Sequence, residues 1–171
     1  ADGRIDDLNK TKIINGRILT PYRLIDNGTI AFDDGKIIYA GEKDIDLGDC
    51  AVIDAKGHYV SPGFVDIHTH GGGGHDFMDG TCDAFLGAAQ MHAKHGTTSI
   101  FPTTLTCTNE ELKQTLEIYR EAKAKNKNGA QFLGLHLEGP YFALSQAGGQ
   151  DSRYIRKPRK EEYEEILSWS G

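Results

Sequence analysis

From Lys12 to about Ala55 the apolar positions fall in short runs rich in β-branched residues, KIINGRILT, LIDNGTIAF, GKIIYAG and DCAVIDA, separated by turn formers. Such runs predict strands. Asp34-Gly35, between TIAF and KIIYA, predicts a tight hairpin, because glycine tolerates the positive φ of a two-residue turn. No chemistry-bearing side chains gather in this stretch. The pattern changes at Ser61-Pro62-Gly63. A domain boundary is therefore expected near residue 60, with a β unit over 1–60 and an α/β unit over 61–171. The polar residues 1–10 are expected to be disordered.

Beyond Gly63 the period alternates between two and about 3.6. FVDIHTH reads as a strand and Gly71 to Gly74 as a flexible loop. In CDAFLGAAQMHAKHG the residues Phe85, Ala88, Ala89 and His92 recur at helical spacing, and Gly96 stands where a glycine stops a helix. TTSIFPTT reads as a second strand. Thr108 with Glu111 has capping-box spacing ahead of the stripe Leu112, Leu116 and Tyr119, and Asn128-Gly129 breaks that helix. AQFLGLHLEGP reads as a third buried strand, and Pro158 with Glu161 and Glu162 opens a last helix.

The order β-α-β-α-β-loop-α implies a parallel sheet with right-handed crossovers, in a doubly wound sheet or a (β/α)8 barrel. The phosphate fingerprints GxxxxGK[ST] and GxGxxG of nucleotide-binding sheets are absent.

Composition narrows the function classes. An apolar content of 38 % in 171 residues excludes a wholly disordered chain, and no apolar run approaches the roughly 18 residues of a membrane span. The formal charge of −6 gives no general field for a polyanion, and Arg153 to Lys160 is the one basic run, so neither nucleic acid nor membrane is an expected partner. Cys50, Cys82 and Cys107 are far apart and odd in number, which suits reduced structural thiols. The first twenty residues carry Asp2, Arg4, Asp6, Asp7, Lys10, Lys12 and Arg17, unlike the apolar core of a signal peptide, and a cytoplasmic location is expected.

Strand alternation predicts that Asp66, His68 and His70 share one face. Two imidazoles at a strand end can converge on a divalent metal, although a lone HxH also arises by chance. The third strand repeats the arrangement with His136 and Glu138. A carboxylate there is costly to bury unpaired, so a cation, a lysine or a loop cap must meet it. His136 reads better as filling an interior layer, held by a hydrogen bond. His92 and His95 lack the spacing of HExxH, His95 suits a helix C-terminus, and His58 and His75 fall in turns or loops. Thr103, Thr104 and Thr106 offer hydroxyls near a strand end, where β-branched residues need no such role.

Taken together, PGFVDIHTHGGGG at Pro62 to Gly74, HGTTSIFPTTLT at His95 to Thr106 and GLHLEGPYF at Gly134 to Phe142 resemble the amidohydrolase superfamily, and within it the N-acetylglucosamine-6-phosphate deacetylases. The resemblance implies the first three βα units of a (β/α)8 TIM barrel preceded by part of a small β-sandwich. It implies Glu138 as principal metal ligand and His68 and His70 as ligands of a first-strand site. One or two divalent ions per subunit are implied, zinc first, with iron, manganese or cobalt as alternatives. Gly149 and Gln150, in AGGQD, occupy the positions where the family contacts its sugar. The implied reaction is hydrolysis of the acetamide of a phosphorylated amino sugar, in a homodimer.

The acid/base aspartate and further histidine ligands of the family lie on later strands, so no catalytic residue is assigned in this chain. Three of eight βα units predict part of a longer enzyme, inactive alone. An N-acetylgalactosamine-6-phosphate deacetylase, a cyclic-amide hydrolase and a non-catalytic metal-binding module are the alternatives.

Overall fold

In the computed structural model, which describes residues 10–169, the chain divides between Pro62 and Gly63 into two units. The expectation for residues 1–10 falls outside the described residues except at Lys10, which begins the first strand.

In the first unit, β1 (Lys10–Leu19) pairs antiparallel with β2 (Leu24–Asp33), which pairs antiparallel with β3 (Lys36–Gly41). The other edge of β1 takes β4 (Ala51–Asp54) and the short β5 (Tyr59–Val60), both parallel. Asp34 and Gly35 form the β2–β3 turn with φ of 47° and 71°, the positive values that the hairpin demands. Ile18, Ile25 and Ile30 make the buried cluster, with Ile13, Phe32 and Val60 against it.

In the second unit, β6 (Phe64–Thr69) leads into a small hairpin of β7 (Gly71–Gly72) and β8 (His75–Asp76). The glycine run expected as a flexible loop is thus paired backbone. Gly73 and Gly74, with φ of 64° and 86°, supply its turn, and at Gly71 a side chain would collide with the His75 carbonyl. Then come α1 (Cys82–Lys94), β9 (Thr97–Pro102), α2 (Asn109–Lys125), β10 (Gln131–Phe132), a 3₁₀ turn (Leu144–Gln146) and α3 (Lys160–Ser168).

The helix signals act as their chemistry requires. Thr108 and Glu111 form the reciprocal capping box of α2, and Gly96 follows α1 with φ of 91°. α3 starts at Lys160, behind an Arg159 cap, rather than at Pro158. β6, β9 and β10 form a parallel sheet in the order β10-β9-β6. β10 is far shorter than AQFLGLHLEGP suggests: its ladder with β9 covers only Gln131 and Phe132. Beyond Phe132 the pairing reduces to single contacts, such as the His136 N–H donating to the Pro102 carbonyl.

Phe85, Ala88 and Ala89 of α1 and Tyr119 and Ala122 of α2 bury against Ile100 and Phe132 in one cluster. Both crossover helices therefore cover the same face of the sheet. Burying Phe77 and Phe85 completely contributes about 1.5–3 kcal/mol each. All three cysteines are free, and burial pushes the Cys107 thiol up to about 11, so it is inert at neutral pH. Among the described residues no helix is long and apolar enough to cross a membrane.

Candidate metal centre

At the C-terminal end of the sheet, β6 delivers His68 and, just past its end, His70, while the segment after β10 delivers Glu138. Glu138 Oε2 lies 3.1 Å from His68 Nε2 and 2.9 Å from His70 Nε2, and the two Nε2 atoms are 3.3 Å apart. Each Nε2 carries at most one proton, so at most two of these three contacts can be hydrogen bonds.

A shared cation accounts for all three at once. Ligands bound at about 2.0–2.2 Å with angles of about 90–110° stand roughly 2.8–3.6 Å from one another. His70 faces the group with Nε2, while its Nδ1 is buried without a hydrogen-bond partner among the described residues. Two imidazoles and one carboxylate also suit zinc and similar divalent ions. The residues present fit such an ion.

Asp66 does not join them. A register shift between Asp66 and Thr69 breaks the alternation that would have aligned it, and Asp66 Oδ1 instead accepts the His68 N–H at 3.0 Å. His136 stands beside the cluster, its ring centroid 4.5 Å from that of His68 and its Nδ1 donating to the Ile67 carbonyl at 3.1 Å.

The threonines of β9 and its following loop have a role that their propensity did not suggest. Thr103 and Thr104 are fully buried or nearly so. Thr103 Oγ1 accepts the Thr69 N–H at 3.0 Å, and Thr104 Oγ1 accepts the Glu138 N–H at 3.3 Å, so the residues just after β9 fix the backbone of both neighbouring segments.

Thr106 N–H donates to Gln150 Oε1 at 2.7 Å, which ties the 147–151 loop to the same strand end. A Cβ added at Gly149 would meet nothing within 4 Å. A cleft of about 390 Å³, in the range of small-molecule sites, is lined by Met78, Leu105, Thr106, Asp151 and Tyr154.

The basic run Arg153 to Lys160 is largely committed within the protein. Arg153 pairs with Asp151 at 2.6 Å, and Arg156 with Glu162 at 2.7 Å.

Gly139 follows Glu138 with φ of 87°, and a side chain there would strike Thr106 Oγ1. Gly139→Ala is expected to cost about 2–4 kcal/mol in urea unfolding, from the left-handed backbone and the collision together. A loss under about 1 kcal/mol would show that the loop after Glu138 relaxes freely.

Several known proteins share this sequence pattern and fold. Residues 59–169 match the amidohydrolase family. An N-acetylglucosamine-6-phosphate deacetylase of Bacillus subtilis (strain 168) is 36 % identical over 143 residues, covering 81 % of this chain and 36 % of the relative. One of Haemophilus influenzae is 35 % identical over 151 residues, covering 86 % of this chain and 39 % of the relative. The crystal structure of an N-acetylglucosamine-6-phosphate deacetylase from Pasteurella multocida superposes with a TM-score of 0.82 at 28 % identity, over 94 % of this chain and 42 % of that one. The chain spans about two fifths of the length of these relatives. Since the family match takes in more than half of its residues, His68, His70 and Glu138 among them, the chain belongs to the amidohydrolase family.

Proposed function

We propose that this chain is the N-terminal, metal-binding portion of a deacetylase that converts N-acetylglucosamine 6-phosphate to glucosamine 6-phosphate and acetate. The observation that carries this reading is the meeting of His68, His70 and Glu138 in a chain whose relatives bear that name. The fold supports it. Consecutive parallel strands with both helices on one face are what the opening of a (β/α)8 barrel requires. Residues 61–171 then supply its first three βα units, and 1–60 supply part of a β-sandwich. Exposed apolar residues on the first sheet, Ile37, Ile38, Val52 and Ile53, suit a second layer.

His68 and His70 offer neutral Nε2 lone pairs, and Glu138 offers the negative charge that a cation needs. One or two ions suit this donor set, zinc first, with iron, manganese and cobalt as alternatives. An ion bound there would supply Lewis-acid polarisation of the acetamide carbonyl and a water acidified toward neutral pH. Thr104 holds the Glu138 peptide in place. Gln150 has committed its carbonyl oxygen to Thr106, which leaves its amide NH₂ to meet an acceptor on the sugar. Gly149, exposed and without a side chain, lets its peptide N–H approach the same ligand. The proton for the leaving amine comes from outside this chain. The protein acts in the cytoplasm as a homodimer.

The test is acetate release by the full-length protein from N-acetylglucosamine 6-phosphate, with the unphosphorylated sugar and the galactosamine epimer alongside. Release that depends on the phosphate supports the reading. Release from the epimer alone moves the substrate, and no release by the metal-loaded protein overturns it.

A further inference from the structure

We propose that His92, on α1, is a positioning residue that holds the His68-Thr69-His70 segment in its metal-binding conformation; this rests on the metal-centre reading above. His92 lies four residues after Ala88 and three after Ala89, both fully buried, so the core-facing side of α1 carries it toward the end of β6. Its Nε2 is 3.0 Å from the Gly71 carbonyl oxygen and 3.2 Å from Thr69 Oγ1. A carbonyl only accepts, so Nε2 carries the proton and donates it to Gly71. Thr69 Oγ1 donates to the same carbonyl at 3.2 Å. The two residues that flank His70 are thereby tied to one another and to α1.

His70 needs that restraint. A metal-binding histidine is ordinarily oriented by a hydrogen bond on its second ring nitrogen. Among the described residues His70 Nδ1 has no hydrogen-bond partner, so the direction of its ring depends on its backbone. That backbone is held by the Phe77 N–H donating to the His70 carbonyl at 2.9 Å, and by the tripeptide that His92 anchors. Gly72 belongs to the same device. A Cβ there would stand 3.3 Å from His92 Nε2, and glycine lets the imidazole close on the chain.

The experiment compares His92→Phe, which keeps a ring of similar size but no donor, with His92→Gln, whose amide donor reaches about as far as Nε2. Both are made in the full-length protein, with zinc affinity read by chelator competition and site geometry by the visible spectrum of the cobalt-loaded form. Expected are an affinity loss of about 10–100-fold and an altered cobalt spectrum for His92→Phe, and recovery of both by His92→Gln. Unchanged zinc binding by His92→Phe overturns the proposal, as does equal weakening by both variants, which would assign the effect to ring packing. A His92→Phe protein that no longer folds assigns the residue to stability alone and overturns it too. If the wild-type protein binds no metal, the metal-centre reading itself fails and takes this inference with it.

Discussion

Glu138→Gln in the full-length protein is expected to lower metal affinity at least a hundredfold and acetate release about a thousandfold. Among the grouped donor atoms Glu138 supplies the single anionic one, facing both Nε2 atoms within about 3 Å. Glutamine preserves volume and leaves the Glu138 peptide N–H on Thr104 undisturbed, so the change isolates the charge. A cation's stabilisation of developing charge is worth several kcal/mol, and a loss of about 4 kcal/mol is a thousandfold in rate. Metal content after dialysis is the direct readout, and acetate release is the second. Glu138→Asp, which keeps the charge on a shorter stem, is expected to fall between. A Glu138→Gln protein that keeps wild-type metal would remove Glu138 from the centre.

Residues whose partners are near in sequence were readable in advance. The capping box of Thr108 and Glu111, the stop at Gly96 and the turn at Asp34-Gly35 each act over a few residues, and each stands where the pattern indicates. The HxH pair was readable for the same reason. Its meeting with Glu138, 70 residues away from His68, has no local signal and was suggested by resemblance alone.

What the pattern misread are features set by backbone pairing. The hairpin of Gly71 to Asp76 has no apolar alternation to announce it. The register shift after Asp66 is invisible to a period-two argument. The apolar run AQFLGLHLEGP reads as one strand, but its ladder with β9 covers only Gln131 and Phe132. The anchoring roles of Thr103, Thr104 and His92 depend on partners at least 21 residues away, so composition and propensity gave those residues no more than a bland reading.

The second large effect concerns a cluster that no motif announces. Arg156→Met is expected to cost about 3–5 kcal/mol of stability at neutral pH, because it strands a buried carboxylate. The Glu162 side chain is 5 % exposed, and Arg156 Nε donates to its Oε1 at 2.7 Å. Arg156 Nη2 donates to Asn109 Oδ1 at 2.6 Å, and Asn109 Nδ2 donates to Glu162 Oε1 at 3.2 Å. Arg156 Nη1 also reaches the Cys107 and Tyr154 carbonyls, so one side chain joins the loop after Pro140 to the start of α2 and to α3.

Burial pushes the Glu162 carboxyl up, but the hydrogen bonds from Arg156 and Asn109 and the Arg156 charge outweigh it and hold the group below its ordinary 4.5. In the wild-type protein this stabilisation is therefore present above pH 4.5 and is lost as pH falls through the lower folded value. In Arg156→Met burial dominates, the carboxyl titrates above its ordinary value, and the penalty for ionising it is relieved in acid. The stability difference between the two proteins should be largest near pH 7 and shrink toward pH 4. Adding Glu162→Leu to Arg156→Met should restore most of the loss at neutral pH, since an apolar pair in that space strands no charge. Urea unfolding of the three proteins at both pH values decides the matter: a difference that does not change with pH would mean that Arg156 acts through its packing and carbonyl contacts, and not through Glu162.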